Sequence, residues 1–409
     1  MTGPAKIRPI DLALGTSLYA LQGVVVAYLV AWNKPYMIAA GVQPVVAGRV
    51  ETLVLLTLVL KFVLGPFSDR FSPFGQGHRR PFIAMGLVAQ SIGLAGLAAV
   101  NPGTNLAGYG SLALLAVGGL ALYDTCCDGL IVDVTPSADR ARVQGMLQVA
   151  RFLATMVATL GFGAWINATG IGPGRSGGLL LACASLGAVP LAITLAARGG
   201  PGSRSEGRFD WAGLQILIRP RSLAVFAFGA IAGVVGLGVE FNLSGYYAGI
   251  GFTPGGIGVL TAIRYGGRAI GALLLPTLGG RLGRRGQVVL GVVALSLAIM
   301  LEAPGSENGA IQGARALAFG MAIGWIDALF CVLAMEASDP KMAASTFAVF
   351  MAVSNVGAVG DALFLEVARA TGPGYGPAFV STAIVALGLL VFTPLLAPPR
   401  PGATADHDD

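Results

Sequence analysis

The sequence predicts an all-helical membrane protein with twelve transmembrane helices arranged in two six-helix bundles. Three observations predict this fold class. The 409 residues are 55% hydrophobic and 11% charged, with a mean hydropathy of +0.76, which is too apolar for a soluble domain of this size. Apolar runs long enough to span a bilayer recur along the chain. A polar, glycine-rich stretch divides these runs into two sets of six.

Runs of about 18 to 25 mainly apolar residues define the predicted helices. The first is long enough to span a bilayer and is followed by others, so we expect a retained helix and not a cleaved signal. The predicted first half is 1–197, the linker 198–221, the second half 222–396 and the tail 397–409. The twelve runs, of which the ninth is the shortest, are 10–32, 45–64, 81–100, 109–134, 143–166, 177–197, 222–246, 255–278, 287–301, 310–334, 342–367 and 377–396.

Lysine and arginine collect on one side of these helices, and such an excess marks the cytoplasmic side of a membrane protein. The linker alone carries five arginines, and both termini lie on this side. Arginine outnumbers lysine, and glycine and alanine abound, which is typical of GC-rich bacterial genomes. We therefore expect a multi-pass protein of a bacterial inner membrane with both termini cytoplasmic. The opposite gaps hold little beyond Lys34, Arg49, Arg175 and Arg369.

Several function classes are excluded by the same composition. The basic residues lie in short gaps and form no single patch, which argues against a nucleic-acid partner. All four cysteines fall in apolar runs, where a thiol packs as a small hydrophobe. The two histidines lie outside the helices, and no phosphate-binding lysine motif occurs. We expect no cofactor, no metal, no ATP-driven step and no enzymatic activity.

The two halves share a repeat. "YDTCCDGLIVDV" from Tyr123 and "IDALFCVLAMEA" from Ile326 place Asp124 opposite Asp327 and Asp133 opposite Glu336, each pair 203 positions apart. Six plus six helices with related halves is typical of transporters built from structural repeats.

The stretch "GPFSDRFSPFGQGHRRPF", residues 65–82, resembles the signature turn between the second and third helices of the major facilitator superfamily (MFS). A second basic turn, "GGRLGRRG" at 279–286, occupies the corresponding place in the second half. The resemblance implies two bundles around a central cavity that opens alternately to each side. The insert "FSPFGQ" lengthens the usual spacing, so which arginine meets which helix stays open.

Two sets of acidic and arginine residues lie at the predicted cytoplasmic helix ends, one between helices 2 and 3 and one between helices 4 and 5. Ion pairs within them could hold that side closed and separate when the halves rock. The alternative role is positive-inside topology alone for the arginines of the first set, and helix capping for the second set. The candidate cytoplasmic gate comprises Asp69, Arg70, Arg79, Arg80, Asp133, Arg140 and Arg142.

Ionisable groups within spanning helices are costly and mark candidate functional sites. Counting 1.5 Å per residue along a hairpin of consecutive helices places Asp124 level with Arg151, and Asp327 is likewise level with Arg268, each near the middle of the bilayer. Asp128 and Gln148 are expected together nearer the cytoplasmic side. The i, i+4 spacing places Arg264 and Arg268 on one polar face of helix 8. A carboxylate that alternates between a dry cavity and an arginine partner can bind and release a proton, whereas the alternative role is a fixed ion pair. The predicted proton-coupling or substrate residues are Asp124, Asp128, Gln148, Arg151, Arg264, Arg268 and Asp327.

Four charged residues lie nearer the extracytoplasmic side and could gate it, although each alone is compatible with a rim position: Glu51, Glu240, Arg315 and Asp361. Uncharged candidates for the cavity wall are Gln22, Tyr28, Asn33, Asn242, Tyr246 and Asn355.

Within the superfamily, "LKFVLGPFSDRF" and "DTCCDGLIVDV" resemble the branches of muropeptide permeases, acetyl-CoA transporters and folate or biopterin carriers. "HRRPFIAMG" resembles sucrose-type sugar carriers instead. Buried arginines favour an anionic or polyhydroxylated solute. We therefore expect a monomeric, proton-coupled secondary transporter. The alternatives are a non-transporting receptor or an assembly factor for a pigment or lipid complex, and a membrane enzyme, for which no nucleophile with a base partner is visible.

Overall fold

A computed structural model describes residues 7–70, 79–135, 140–197, 211–338, 343–371 and 374–396, and no β-strand occurs among them. Twelve helical segments follow one another, and eleven of those in the described part are long and apolar enough to cross a membrane. The remaining one, α2, is interrupted by a 3-10 turn. The predicted all-helical membrane fold is confirmed. Residues 198–210 of the predicted linker and the predicted tail 397–409 lie outside the described residues.

The helices of the first half are α1 Pro9–Ala39, α2 (Pro44–Leu56, Thr57–Leu60 and Lys61–Arg70), α3 Arg80–Ala99, α4 Leu106–Val134, α5 Arg140–Thr169 and α6 Gly177–Ala196. Those of the second half are α7 Pro220–Gly249, α8 Pro254–Leu278, α9 Arg281–Glu302, α10 Gly309–Ala337, α11 (Ala343–Asn355, Val356–Ala358 and Val359–Ala370) and α12 Gly376–Leu396. A 3-10 segment, Trp211–Ile218, precedes α7.

The helices differ from their predicted bounds by up to several residues, and two of the larger differences have a backbone cause. The first continues past Trp32 to Ala39 through a π-helical turn at Leu29–Asn33. Pro35 then falls in the first turn of the following α-helical segment, where a missing backbone N–H is tolerated. The ninth begins at Arg281, because only Gly283, with φ of +61°, interrupts the helical backbone between α8 and α9. A glycine adopts this conformation without steric cost.

Close approach at small residues holds the helices together within each half. On α7, Gly233 lies directly against Gly357 of α11, so a Cβ atom on Gly357 would come within 2.2 Å of the Gly233 carbonyl carbon. In the first half, a Cβ atom on Gly93 of α3 would come within 2.6 Å of the Ala116 nitrogen of α4. Such contacts leave no room for side chains, which makes each bundle a tightly packed unit.

The halves pack against each other mainly through α2 along α11 and α5 against α8, and the end of α1 also packs against α7. We call the end at which α1 begins the terminal face and the opposite end the far face. Near the far face α5 and α8 touch, since a Cβ atom on Gly163 would lie 3.1 Å from the Cα atom of Gly258. The halves are therefore in direct backbone contact at this end.

We expect Gly357→Ala to destabilise the protein by about 1 to 3 kcal/mol, because the added methyl group has to displace the α7 backbone. The matched control is Gly118→Ala on α4, where a Cβ atom would meet nothing within 4 Å and helix propensity favours alanine. Thermal unfolding midpoints of the purified variants in detergent measure both effects. Equal midpoints for the two variants would contradict this account of the packing.

Candidate functional site

A cavity of about 650 Å³ lies between the two halves, and most of its wall is apolar. Its polar groups lie mainly at mid-height, where Gln22, Lys61 and Arg151 of the first half line the same space as Arg268 and Asp327 of the second. The wall continues toward the terminal face, as far as the first residues of α9 and the end of α10. The arrangement is that of a compartment closed toward the far face.

In the second half, Arg268 binds two carboxylates. Its Nη1 lies 2.9 Å from both oxygens of Glu240 on α7, and its Nη2 lies 2.6 Å from Oδ2 of Asp327 on α10. The Tyr265 hydroxyl donates to Glu240 at 2.7 Å. The Glu240 side chain is 2% exposed and that of Asp327 37%. Asp327 is thus the partner of Arg268 that solvent or a solute can reach.

Two predictions for this half require correction. Glu240 does not lie in the extracytoplasmic rim but in this mid-height cluster, because α7 extends past its predicted end to Gly249 and places the residue deeper. Arg264 was expected to share a polar face with Arg268, but it is not among the residues that line the cavity. It is buried, and its guanidinium lies 5.5 Å from the ring centre of Tyr265.

In the first half, the predicted pair between Asp124 and Arg151 does not form. Asp124 instead binds the ammonium group of Lys61 on α2. The cause is the packing of α1 against both α4 and α5, which prevents these consecutive helices from forming a simple hairpin. Asp128 was expected beside Gln148, but it accepts a 2.5 Å hydrogen bond from the Tyr19 hydroxyl of α1.

Arg151 lines the cavity and has no ion-pair partner among the described residues. Its guanidinium lies 5.1 Å from the ring centre of Phe152, and the same ring lies 5.6 Å from Arg268 of the other half. Two further cavity-lining groups of the first half, Gln22 and Gln148, each have a buried amide oxygen without a hydrogen-bond partner. Besides Lys61, which is paired with Asp124, the first-half wall thus presents one cation without an ion-pair partner and two amides to the cavity.

A second charged cluster lies near the far face and joins the halves. Lys34 of α1 binds Asp361 of α11, lies 3.6 Å from Glu51 of α2 and donates to Asn242 of α7 at 3.0 Å. Asn242 in turn donates to Asp361 at 3.0 Å. We call these four residues the far-face cluster. At the rim, Arg49 binds the exposed Glu366 across the same boundary at 2.7 Å.

The ion pairs that join the two halves, within the described part of the chain, all lie at the far face. Arg315, predicted to gate this side, donates to Gln312 at 3.3 Å within α10. Gln312 also binds Glu302 of α9. These contacts remain inside the second half.

At the terminal face, the side chains of Asp69, Arg70, Asp133, Arg140 and Arg142 lie outside the described residues. Arg80 binds Asp11 of α1 at 2.8 Å and the carbonyl oxygen of Ala197, both in its own half, and Arg79 is buried beside Gly129 of α4. In the second half, Glu336 binds Arg221 at 2.7 Å and also binds Arg284. These described contacts tie helix ends together within a half.

Of the uncharged candidates, Gln22 and Asn355 line the cavity. Asn242 belongs to the far-face cluster, and the other three make hydrogen bonds away from the cavity. Asn33 accepts from Tyr109 at 2.8 Å, Tyr28 lies 3.1 Å from the Tyr109 hydroxyl, and Tyr246 donates to the Glu302 carbonyl oxygen at 2.5 Å.

Sequence reasoning missed Lys61, although it lies inside the predicted second helix and is a charge in a spanning segment. The repeat could have revealed it. In the second half Asp327 binds Arg268 of α8, and α2 is the first-half equivalent of α8. Lys34 was assigned to a loop, since the predicted first helix ended at Trp32. Tyr19 and Tyr265 carry no sequence signal that separates them from other core aromatics.

The chain matches the family model of the Major Facilitator Superfamily over residues 12–360, and it matches none of the curated proteins. Among solved structures it is similar to the nucleoside transporter NupG, with 14% identity, a TM-score of 0.72, and coverage of 96% of this chain and 100% of that one. A single-residue mutant of NupG aligns with 14% identity and a TM-score of 0.69, over 95% of this chain and 98% of that one.

We expect Arg268→Gln to destabilise the protein by about 3 kcal/mol, because it leaves the carboxylate of Glu240 buried without a cation. Adding Glu240→Gln should restore much of this loss, whereas adding Asp327→Asn should restore little, since water can reach Asp327. Unfolding midpoints of the three variants in detergent measure the difference. Equal recovery in the two double variants would show that burial does not distinguish the carboxylates.

Proposed function

This chain belongs to the Major Facilitator Superfamily, and we propose that it is a secondary active transporter that moves a small polar or anionic solute by alternating access, coupled to protons. The cavity between the halves is the proposed binding site. It has the position expected for a carrier built from two related bundles, and its volume of about 650 Å³ accommodates a small molecule.

One observation carries the proposal for the solute: Arg151 faces the cavity without a carboxylate partner among the residues that the structure describes. A guanidinium group attracts a carboxylate, a phosphate or a polyhydroxylated group, which it can bind through two parallel hydrogen bonds. The amides of Gln22 and Gln148 stand on the same wall and can orient hydroxyl or amine groups. Nucleosides, the solutes of the NupG transporter, are neutral members of this polar class.

The proposed coupling site is the cluster around Arg268. A solute anion that pairs with Arg268 competes with Asp327, the more exposed of its two partners. A carboxylate that has lost its cation binds a proton more readily than one that keeps it. Asp124 and Lys61 form the corresponding pair of the first half, and we propose that one or both acids carry the transported proton.

The contacts at the far face fit the closed side of an alternating-access cycle. Cross-half ion pairs and the contact between Gly163 and Gly258 lie there, whereas the cavity wall continues toward the terminal face. The excess of basic residues in the terminal-face loops favours a cytoplasmic position for that face. We therefore propose an inward-facing arrangement in a bacterial inner membrane.

Transport can be measured with the purified protein in liposomes with an imposed pH gradient. Candidate solutes are sugars, amino-sugar peptides, carboxylates, pterins and nucleosides. We expect one class to accumulate, and Asp124→Asn or Asp327→Asn to abolish the gradient dependence. Arg151→Gln should lower uptake about ten- to hundredfold, because a charge-assisted hydrogen bond is lost. Arg151→Lys should retain part of the activity, and Arg175→Gln, an equal charge change in an exposed loop, should retain all of it.

The assembly-factor alternative gives a different result in the same experiments. No solute would accumulate, and the cellular function of the protein would survive Asp124→Asn and Asp327→Asn. That combination, obtained with folded and correctly inserted protein, would overturn the transporter proposal.

Reporter fusions test on which side of the membrane the terminal face lies. Green fluorescent protein fused after Asp409 should fluoresce in bacterial cells, because its chromophore matures only when the fusion remains in the cytoplasm. Alkaline phosphatase at the same position should be inactive. The reverse pair of results would place the terminal face outside.

A further inference from the structure

The far-face cluster contains an unbalanced set of charges. Lys34 provides one positive charge, and Glu51 and Asp361 provide two negative charges when ionised. None of the three residues is more than 4% exposed. A net charge is strongly unfavourable in such a dry environment, even when one of its members is paired. One additional proton would make the cluster neutral.

Other titratable groups around the cluster do not supply the missing charge. Glu51 faces Lys34 and Asp361, and also Tyr109 of α4. Tyr375, just before α12, faces Lys34 and Asp361. Phenols lose their protons only near pH 10 and carry no positive charge. Arg49, the cation nearest to Glu51 in the sequence of α2, forms an ion pair with Glu366 at the exposed rim.

The two carboxylates differ in how their negative charge is stabilised. Asp361 accepts hydrogen bonds from the Lys34 ammonium group and, at 3.0 Å, from the Asn242 amide. Glu51 faces the Asn33 side chain and lies 3.6 Å from the Lys34 nitrogen, but neither of its oxygens has a partner at hydrogen-bond distance in the described part of the chain. Charge-assisted hydrogen bonds favour the ionised form of Asp361. The negative charge of Glu51 is therefore less well stabilised by Lys34 than that of Asp361.

We propose that the far-face cluster is a proton-binding site, with the proton on Glu51, and that the far face closes only when this proton is bound. The cluster receives residues from both halves: Lys34 and Glu51 belong to the first, and Asn242 and Asp361 to the second. Closure buries all four residues between the halves, and opening hydrates them. The proton thus controls the contact between the bundles.

The direction of the pH effect follows from this linkage. The closed state binds one proton more than the open state, in which water solvates both carboxylates. Lowering the pH therefore favours closure, and raising the pH favours opening, by up to about tenfold per pH unit for one proton. The pH effect requires only that the halves separate at the far face. It involves no solute and neither Asp124 nor Asp327, so the labelling experiment can fail while the transport assay succeeds, and the reverse.

Ser244 of α7 provides a reporter position. It is 2% exposed and contacts the Val30 carbonyl oxygen of the other half at 3.5 Å, so separation of the halves would expose it. The experiment measures maleimide labelling of Ser244→Cys in full-length protein in detergent, with the four native cysteines replaced by alanine. Dividing each rate by that of Thr104→Cys, an exposed far-face position, removes the pH dependence of the thiol itself.

We expect the normalised rate to rise between about pH 5.5 and 8.5 by up to tenfold per pH unit. Glu51→Gln makes the cluster neutral without a titrating proton, so its rate should be low and independent of pH. Asp361→Asn also leaves one cation and one carboxylate, and it should give the same flat profile if Glu51→Gln fails to fold. Glu366→Gln removes the exposed ion pair between the same helices, and its profile should keep the wild-type slope.

Two outcomes would overturn the proposal. A wild-type rate that does not change with pH would show that no proton controls far-face closure. A wild-type slope that survives in folded Glu51→Gln or Asp361→Asn protein would place the controlling proton elsewhere.

Discussion

A charged side chain within the hydrocarbon region of a membrane needs a partner or water, and this requirement organises the protein. The charges lie at three levels. At the terminal face, the described ion pairs join helices of one half, such as Glu336 with Arg221. At mid-height, Lys61 with Asp124 and Arg268 with Asp327 again join helices of one half, but beside the cavity. Among the described residues, an ion pair of buried side chains crosses between the halves only at the far face. The pairs that can break during a rocking motion are therefore separated in space from those that hold each bundle.

Helix packing makes this separation mechanically useful. Gly233 against Gly357 brings α7 and α11 into backbone contact, and interiors at such density respond to force as units. The boundary between the halves is less tightly packed, since the cavity lies between α5 and α8 on the terminal side of the Gly163–Gly258 contact. Small changes in charge at this boundary can consequently be converted into a movement of whole bundles.

The architecture could be predicted from hydropathy and the repeat because both depend on properties of many residues. The partners of individual charges could not. Asp124 is matched to Arg151 by depth and by the assumption that consecutive helices form a hairpin, and neither specifies the rotation of a helix or which helix lies beside it. The predicted first helix ends at Trp32 and leaves Lys34 in a loop, whereas a π-helical turn at Leu29–Asn33 continues the helix to Ala39. The burial that distinguishes Glu240 from Asp327 depends on packing that no periodicity encodes.

The repeat explains why Arg151 stands apart. In both halves an acid on the fourth helix of the bundle binds a cation on the second: Asp124 with Lys61, and Asp327 with Arg268. Arg151 has no equivalent, since the position 203 residues later is Ser354, which also lines the cavity. Arg264 also has no ion-pair partner among the described residues, but it is buried away from the cavity, so Arg151 is the one of these two arginines that a solute can reach. Retaining an unpaired guanidinium beside a cavity costs solvation energy, and a bound solute that supplies the missing negative charge would offset this cost. The departure from symmetry thus marks the residue most suited to substrate binding.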